Sequence, residues 1–176
     1  TAVETLQYIR RQLMKAKPSG YWNYDKKSKQ WSPKDEPRCG DSLHLLLDSL
    51  FALKNIEVTR EDGSRSGNCD FGFSASLASY ERVSALFELK KAHSNDLEHG
   101  LSEQLPKYLE ERGSTAGIYG VLWFKGKHFE KPKKDKDETL DACIERLHKI
   151  RPENVFDVVG FDVAFKKSAS TRSGSD

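Results

Sequence analysis

The sequence predicts an α/β domain, a mixed β-sheet with helices on its faces. Three observations carry this. From Asp41 onward the apolar pattern switches period in the order helix, three strands, helix, strand, helix, strand. A meander that feeds a crossover helix gives a sheet of mixed sense. The run Gly117-Ile118-Tyr119-Gly120-Val121-Leu122-Trp123-Phe124 is apolar almost throughout, which suits a central strand covered on both faces. Leu97, Leu101, Leu105 and Leu109 recur at every fourth residue and so stack along one helix face.

The elements follow in order. From Thr1 to Ala16, Leu6, Ile9 and Leu13 have helical spacing, and Pro18-Ser19-Gly20 ends the helix. A loop rich in Lys, Pro and Ser then reaches Gly40, carrying Tyr21, Trp22, Tyr24 and Trp31. Aromatics among lysines either stack on bases or tack a long loop to its own domain; the second is the commoner outcome. Asp41-Ser42 opens a helix with the stripe Leu43, Leu46, Leu47, Leu50. Residues 56–61 alternate as a strand, Asp62-Gly63-Ser64 signals a turn, and 69–73 returns as the second strand. Val83 to Leu89 forms the third.

The helix from Asp96 to Arg112 holds Pro106, which predicts a kink or break. Gly113 is its stop. Lys125 to Glu138 reads as a lysine-rich loop, including Lys127, Lys131, Lys133, Lys134 and Lys136. An extra helix, 139–150, buries Leu140, Cys143, Ile144 and Leu147, and an extra strand, 155–165, bends at Gly160. The organisation expected is therefore an N-terminal helix and loop (1–40), a core (41–167) and a Ser-rich, disordered tail (168–176).

The 176 residues suit one domain better than two. No apolar run approaches the ~18 residues of a membrane span, and Thr1-Ala2-Val3-Glu4-Thr5 has no signal-peptide character. Cys39, Cys69 and Cys143 are odd in number and widely spaced, which argues against a disulfide framework or a Cys-x-x-Cys zinc site. These features predict a cytoplasmic chain with no membrane partner, cut from a longer polypeptide and free to act as an oligomer. The net charge of +2, from 29 basic and 27 acidic residues, neither demands nor excludes a polyanionic partner.

The chemistry centres on Glu88-Leu89-Lys90. In a strand, residues i and i+2 share a face, so Glu88 and Lys90 project opposite to Phe87 and Leu89. An acid and an amine on a central strand are expensive to bury without compensation. Asp70, on the preceding strand, converges on Glu88 if the two strands are neighbours. Two carboxylates make a hard oxygen site suited to Mg²⁺ or Mn²⁺, and an adjacent ammonium offsets charge on a phosphate. Those are the needs of metal-assisted phosphodiester hydrolysis. A solvated strand face with an ion pair worth under ~1 kcal/mol is the plain alternative for Glu88 and Lys90 alone. Asp25-Lys26-Lys27 matches the same acid-x-Lys spacing but lacks strand alternation around it.

Other chemistries fit poorly. There is no Gly-x-Ser-x-Gly elbow and no Gly-x-x-x-x-Gly-Lys-Ser/Thr phosphate loop. Cys69 adjoins Asp70 but has no assigned His partner and reads as a packed thiol.

Asp70, Glu88-Leu89-Lys90, Glu103-Gln104-Leu105, Tyr108-Leu109 and the run 117–124 together resemble the PD-(D/E)XK nuclease superfamily, whose restriction-endonuclease-like core is αβββαβ. The stretch is similar to nuclease domains at the C-terminal end of large bacterial NTPase-type defence proteins. The resemblance spans about 41–165 and is most specific over 70–124. It implies a metal-dependent endonuclease acting on DNA, duplex above all, as the effector of an antiviral defence protein. Asp70, Glu88 and the Leu89 carbonyl would ligate Mg²⁺ or Mn²⁺, and Lys90 would position the attacking water. Asn68-Cys69 stands where the name-giving Pro is absent.

The resemblance further implies an acid from the first core helix. Asp41 matches best, with Glu36 behind it; Asp41 is equally placed to be a helix N-cap. Gln104 fits two roles, a hydrogen bond to water or phosphate, or a buried anchor for its helix. Lys91 and Lys107 fit backbone-phosphate contacts or plain solvated charge. His44, one turn beyond Asp41, reads as structural. An inactive nuclease-fold module that binds nucleic acid or protein is the alternative reading of the whole.

Overall fold

The computed structural model describes residues 2–15, 18–64, 67–79, 81–114, 116–132 and 138–165. The expected tail and Lys133, Lys134 and Lys136 lie outside the described residues, as does the side chain of Leu13.

Helix α1 (Ala2–Lys15) buries Leu6 and Ile9. A short 3₁₀ turn (Pro18–Tyr21) leads into a hairpin, β1 (Trp22–Asp25) and β2 (Gln30–Pro33), where a loop was expected. Tyr21 and Trp22 are buried in the core, and the Trp22 indole donates to the Val163 carbonyl at 2.7 Å. Leu6, Ile9, Tyr21 and Trp22 thus join the same core as Phe71, Phe87 and Phe161.

Helix α2 (Glu36–Ala52) begins five residues before the expected start. Asp35 is its N-cap, accepting the Arg38 amide, and Pro37 occupies the first turn, where its missing N–H costs nothing. Asp41 therefore sits inside the helix and is not its cap. Leu43, Leu47 and Phe51 are fully buried, each stabilising the fold by about 1.5–3 kcal/mol.

One sheet holds five strands in chain order: β3 (Glu57–Ser64), β4 (Gly67–Ser76), β5 (Arg82–Lys91), β6 (Gly117–Trp123) and β7 (Val155–Asp162). The first three are antiparallel, and β6 and β7 run parallel to β5. The expected turn at Asp62-Gly63-Ser64 is strand instead: cross-strand pairing continues to Ser64↔Gly67. β6 is buried along its whole length between two parallel neighbours, as its apolar run predicts.

Between β5 and β6, α3 (Leu97–His99), a π-helical turn (Gly100–Gln104) and α4 (Leu105–Arg112) follow without a gap. The expected disturbance at Pro106 is real but lies upstream. Pro106 has no N–H for the Ser102 carbonyl, and the Leu105 amide bonds to Gly100, five residues back. Gly113 caps α4 in the left-handed conformation, φ 61°. Helix α5 (Leu140–Ile150) joins β6 to β7, capped by Thr139.

Two cores result. Helices α1 and α2 meet Phe71, Phe73, Phe87, Leu89, Leu122 and Phe161 on one face. On the other, α3, α4 and α5 bury Leu101, Leu105, Leu109, Cys143 and Leu147 against Leu86, Tyr119 and Val158. Pairing runs on through Gly160, the expected bend, which lies opposite Val121. The irregularity in β7 is a register shift opposite Gly117/Ile118, and Gly160 serves close packing, since a Cβ there would lie 2.6 Å from Leu140. Among the described residues no helix is long and apolar enough to cross a membrane.

Candidate active site

Strand alternation sends Phe87 and Leu89 into the first core and leaves Glu88 and Lys90 on the opposite face, toward the 97–112 helix. The β4–β5 ladder ends at Phe71↔Phe87. One step further, at Asp70 and Glu88, side chains replace the ladder. The Leu89 amide donates to Asp70 Oδ2 at 2.8 Å, and the Asp70 amide donates to Glu88 Oε2 at 3.4 Å. β4 also twists here: Cys69 packs in the second core although Phe71 and Phe73 lie in the first.

Glu88 is 2% exposed. Its Oε1 accepts from Lys90 Nζ at 2.6 Å, and the same ammonium reaches Glu36 Oε1 at 3.3 Å. Glu36 Oε2 accepts the Lys91 amide at 3.1 Å. The first helix thus supplies an acid to this cluster, and that acid is Glu36. Asp41 lies apart, 72% exposed and paired to Arg60 Nη2 at 3.2 Å. Arg60 in turn donates through Nη1 to the Asp70 carbonyl at 3.0 Å and lies over the Phe71 ring. Gly40 leaves the room for it: a Cβ there would sit 2.7 Å from the guanidinium.

Three carboxylates, Asp70, Glu88 and Glu36, therefore face two cations, Lys90 and Arg60. Burial, followed by the like charge of Glu88, pushes the Asp70 carboxyl up to about 7. Glu88 is also raised by burial, against the pull of Lys90. Burial disfavours the Lys90 ammonium, but Glu88 outweighs it and holds Lys90 above its ordinary value. Lys90 is accordingly a fixed cation and a donor, not a base.

The 97–112 helix roofs the cluster. At Gly100 a Cβ would lie 2.6 Å from the Tyr119 hydroxyl and 3.2 Å from Lys90 Cε, so only glycine lets the lysine pass. The Tyr119 hydroxyl donates to the Leu97 carbonyl at 2.6 Å, fixing the start of that helix. Gln104 Oε1 is buried without a protein partner, so this oxygen anchors nothing in the chain. One turn on, the Tyr108 hydroxyl lies over Gly67, and burial and the charge of Glu88 raise its pKa. Lys91 is part-buried at the end of β5, while Lys107 is exposed on α4. Lys125 donates to the Glu138 carbonyl. His44 packs on Phe71, as a structural histidine would.

A cavity of about 590 Å³ opens past the end of β5, bordered by His93, Glu98, Lys131 and Arg146. None of its lining residues is Asp70, Glu88 or Lys90.

Among the described residues no group of three or more His, Cys, Asp or Glu side chains is arranged to hold a metal. What the chain does offer is a buried carboxylate, Glu88, and a part-buried one, Asp70. An all-oxygen donor set of this kind fits a hard divalent cation.

Arg60 and Tyr108 carry roles that the sequence does not announce, and Glu36, second to Asp41 in the sequence, is the α2 acid that reaches the cluster. For Glu36 a signal was present: Asp35-Glu36-Pro37 is a cap, an acid and a proline in the order that starts a helix. No curated protein and no solved structure matches the chain. A family model described as Domain of unknown function (DUF8371) matches residues 2–126, a span that takes in every residue of the cluster.

Proposed function

The chain belongs to this family of unknown function, and we propose that it is a metal-dependent nuclease hydrolysing phosphodiester bonds of DNA. The observation that carries the reading is the replacement of the β4–β5 ladder by the Asp70 and Glu88 carboxylates, with the Lys90 ammonium 2.6 Å from Glu88. A merely stable sheet does not call for one buried and one part-buried acid at the end of a ladder, because burying charge costs several kcal/mol per ion before pairing. Asp70, Glu88 and the Leu89 carbonyl would hold Mg²⁺ or Mn²⁺. When bound, such an ion acidifies water and offsets charge on the scissile phosphate.

The chain's own groups do the rest. The Leu89 and Asp70 amides fix the two carboxylates in place. Lys90, kept protonated by Glu88 and Glu36, donates to an attacking water or to a phosphate oxygen and offsets the charge that develops there. Glu36 holds the lysine from the far side. Gln104 Oε1 is left to accept from water or a nucleotide. Lys91 and Lys107 would add salt-sensitive contacts to the backbone. Duplex DNA as the target, and service as the effector of a defence protein in the cytoplasm, belong to the same proposal and rest on the resemblance.

The test is incubation of plasmid, linear duplex, single-stranded DNA and RNA with the chain, with and without Mn²⁺, beside Glu88→Gln. Cleavage that needs both the cation and Glu88 supports the reading; equal cleavage by Glu88→Gln ends it. A second reading, a binding module without turnover, is favoured by one observation, the lack of a third acidic ligand among the described residues. Calorimetric titration with Mn²⁺ separates the two, since a module without turnover shows no binding that depends on Asp70.

A further inference from the structure

The β1–β2 hairpin carries a row of tilted ring contacts that ends outside the core. Tyr24 and Trp31 are directly opposed across the hairpin, with ring centroids 4.7 Å apart, and Trp31 continues onto Phe165 at 4.5 Å. Phe165 meets the exposed ring of His128 at 5.1 Å. The row is rooted in the core through Trp22, which packs edge-on against Phe124 and Phe165. Its outer end is open: Tyr24 is 47% exposed.

The hairpin bend is mostly basic, with Lys26, Lys27 and Lys29 exposed. Residues 22–34 contain Lys26, Lys27, Lys29 and Lys34 against a single acid, Asp25. That acid is turned into the hairpin bend, where it accepts the Lys27 amide at 2.8 Å and the Ser28 hydroxyl at 2.7 Å. A half-exposed tyrosine ring braced on a tryptophan, with exposed lysines in the adjoining bend, matches a polyanion that carries flat bases. An acidic peptide would satisfy the lysines and leave the rings unused.

We propose that the hairpin is a stacking platform for unpaired nucleotides, with a base seated on Tyr24 and the flanking phosphates on Lys26, Lys27 and Lys29. Base–aromatic stacking tolerates any sequence and requires a strand whose bases are free. Trp31 precedes Glu36 by five residues, so their Cα atoms lie within about 18 Å of one another. A strand stacked at about 3.4 Å per nucleotide covers that span in roughly five nucleotides. The platform would hold a single-stranded flank of the nucleic acid bound at Glu88; that connection rests on the nuclease reading, whereas the stacking does not.

The test is titration of fluorescein-labelled (dT)12 and (U)12 into the full chain bearing Glu88→Gln, in EDTA, so that cleavage plays no part. Trp22 and Trp123 are nearly inaccessible, so quenching of tryptophan fluorescence on binding reports the Trp31 end. The expected result is binding that Tyr24→Ala weakens about tenfold and Tyr24→Phe leaves within about twofold. Replacing Lys26, Lys27 and Lys29 by Ser should flatten the salt dependence. The proposal is overturned by no binding at low salt, by equal binding of Tyr24→Ala, by a 12-base-pair duplex binding as tightly as the single strand, or by poly-glutamate displacing the oligonucleotide at equal charge. A chain that binds in this way but cleaves nothing keeps the platform and loses the nuclease; one that cleaves without Tyr24-dependent binding does the reverse.

Discussion

Asp70 and Glu88 are joined by their backbones as well as their charges: the Asp70 amide donates to Glu88 Oε2, and Asp70 Oδ2 accepts from the residue after Glu88. Each carboxylate therefore sits where a sheet ladder would have placed a carbonyl. Carbonyls are neutral, and the substitution puts two acids into a buried space. Both have folded pKa values above the unfolded ones, so the folded state holds more protons in the interval between. Stability from these groups is greatest at acid pH and falls as pH rises from the ordinary carboxylate range to about 7. Asp70→Asn keeps an oxygen for the Leu89 amide and removes one charge. Urea melts in EDTA at pH 5 and pH 8 should show a smaller pH difference for Asp70→Asn than for the parent, and a midpoint at pH 8 no lower. Equal pH differences would refute the charge argument.

The same shift sets the expected pH dependence of cleavage. A divalent cation needs both carboxylates ionised, and protons compete with it until pH passes about 7. Cleavage at limiting Mg²⁺ should rise from pH 6 to pH 8 and vanish with chelator, and excess Mn²⁺ should shift the rise to lower pH. Lys90→Ala should reduce the rate by about 100-fold or more at every pH. A flat profile at limiting cation would contradict the assignment of Asp70 as a ligand.

Asp70, Glu88 and Lys90 were legible because strand alternation is a strict period of two: Phe87 and Leu89 fix the face of Glu88 and Lys90 with no knowledge of the fold. The two-sided burial of β6 was legible for a similar reason, from the apolar 117–124 run. Glu36 was legible only as the runner-up to Asp41, because its role depends on where α2 begins. Pro37 and Gly40 look like loop residues in sequence, yet one sits in a helix's first turn and the other makes room for Arg60. The extent of β3 was hidden as well, since Asp62-Gly63-Ser64 has turn chemistry and only cross-strand pairing with Gly67 to Cys69 keeps it extended. In both places tertiary contact overrode a local preference.

Exchanging the two candidate acids of α2 tests that correction. Glu36 accepts the Lys91 amide and braces Lys90, and both partners are part-buried. Glu36→Ala should cost about 1–3 kcal/mol in urea denaturation and lower the cleavage rate. Asp41 is 72% exposed and pairs with Arg60, so Asp41→Ala should cost under ~1 kcal/mol and change the rate by less than about threefold. A reversed ranking in stability and rate together would restore Asp41 as the helix's contribution to the site.

Gly100 connects the roof to the chemistry, and its substitution should separate folding from catalysis. A methyl group at that position would lie 2.6 Å from the Tyr119 hydroxyl and 3.2–3.3 Å from Lys90. The tyrosine is fully buried and its hydroxyl is spent on the Leu97 carbonyl, so it has little freedom to give way. Lys90 is the more compliant neighbour, and moving it means lengthening its contact with Glu88. Gly100→Ala should therefore destabilise by about 1–3 kcal/mol, the ordinary cost of overpacking, and lower cleavage further than that loss explains. Tyr119→Phe in the same background removes the oxygen that the methyl strikes. The double variant should recover cleavage relative to Gly100→Ala alone, while still lacking the Leu97 hydrogen bond. Measured by circular dichroism melts and single-turnover cleavage, failure of the double variant to recover any rate would show that Gly100 does not act through the clearance beside Lys90.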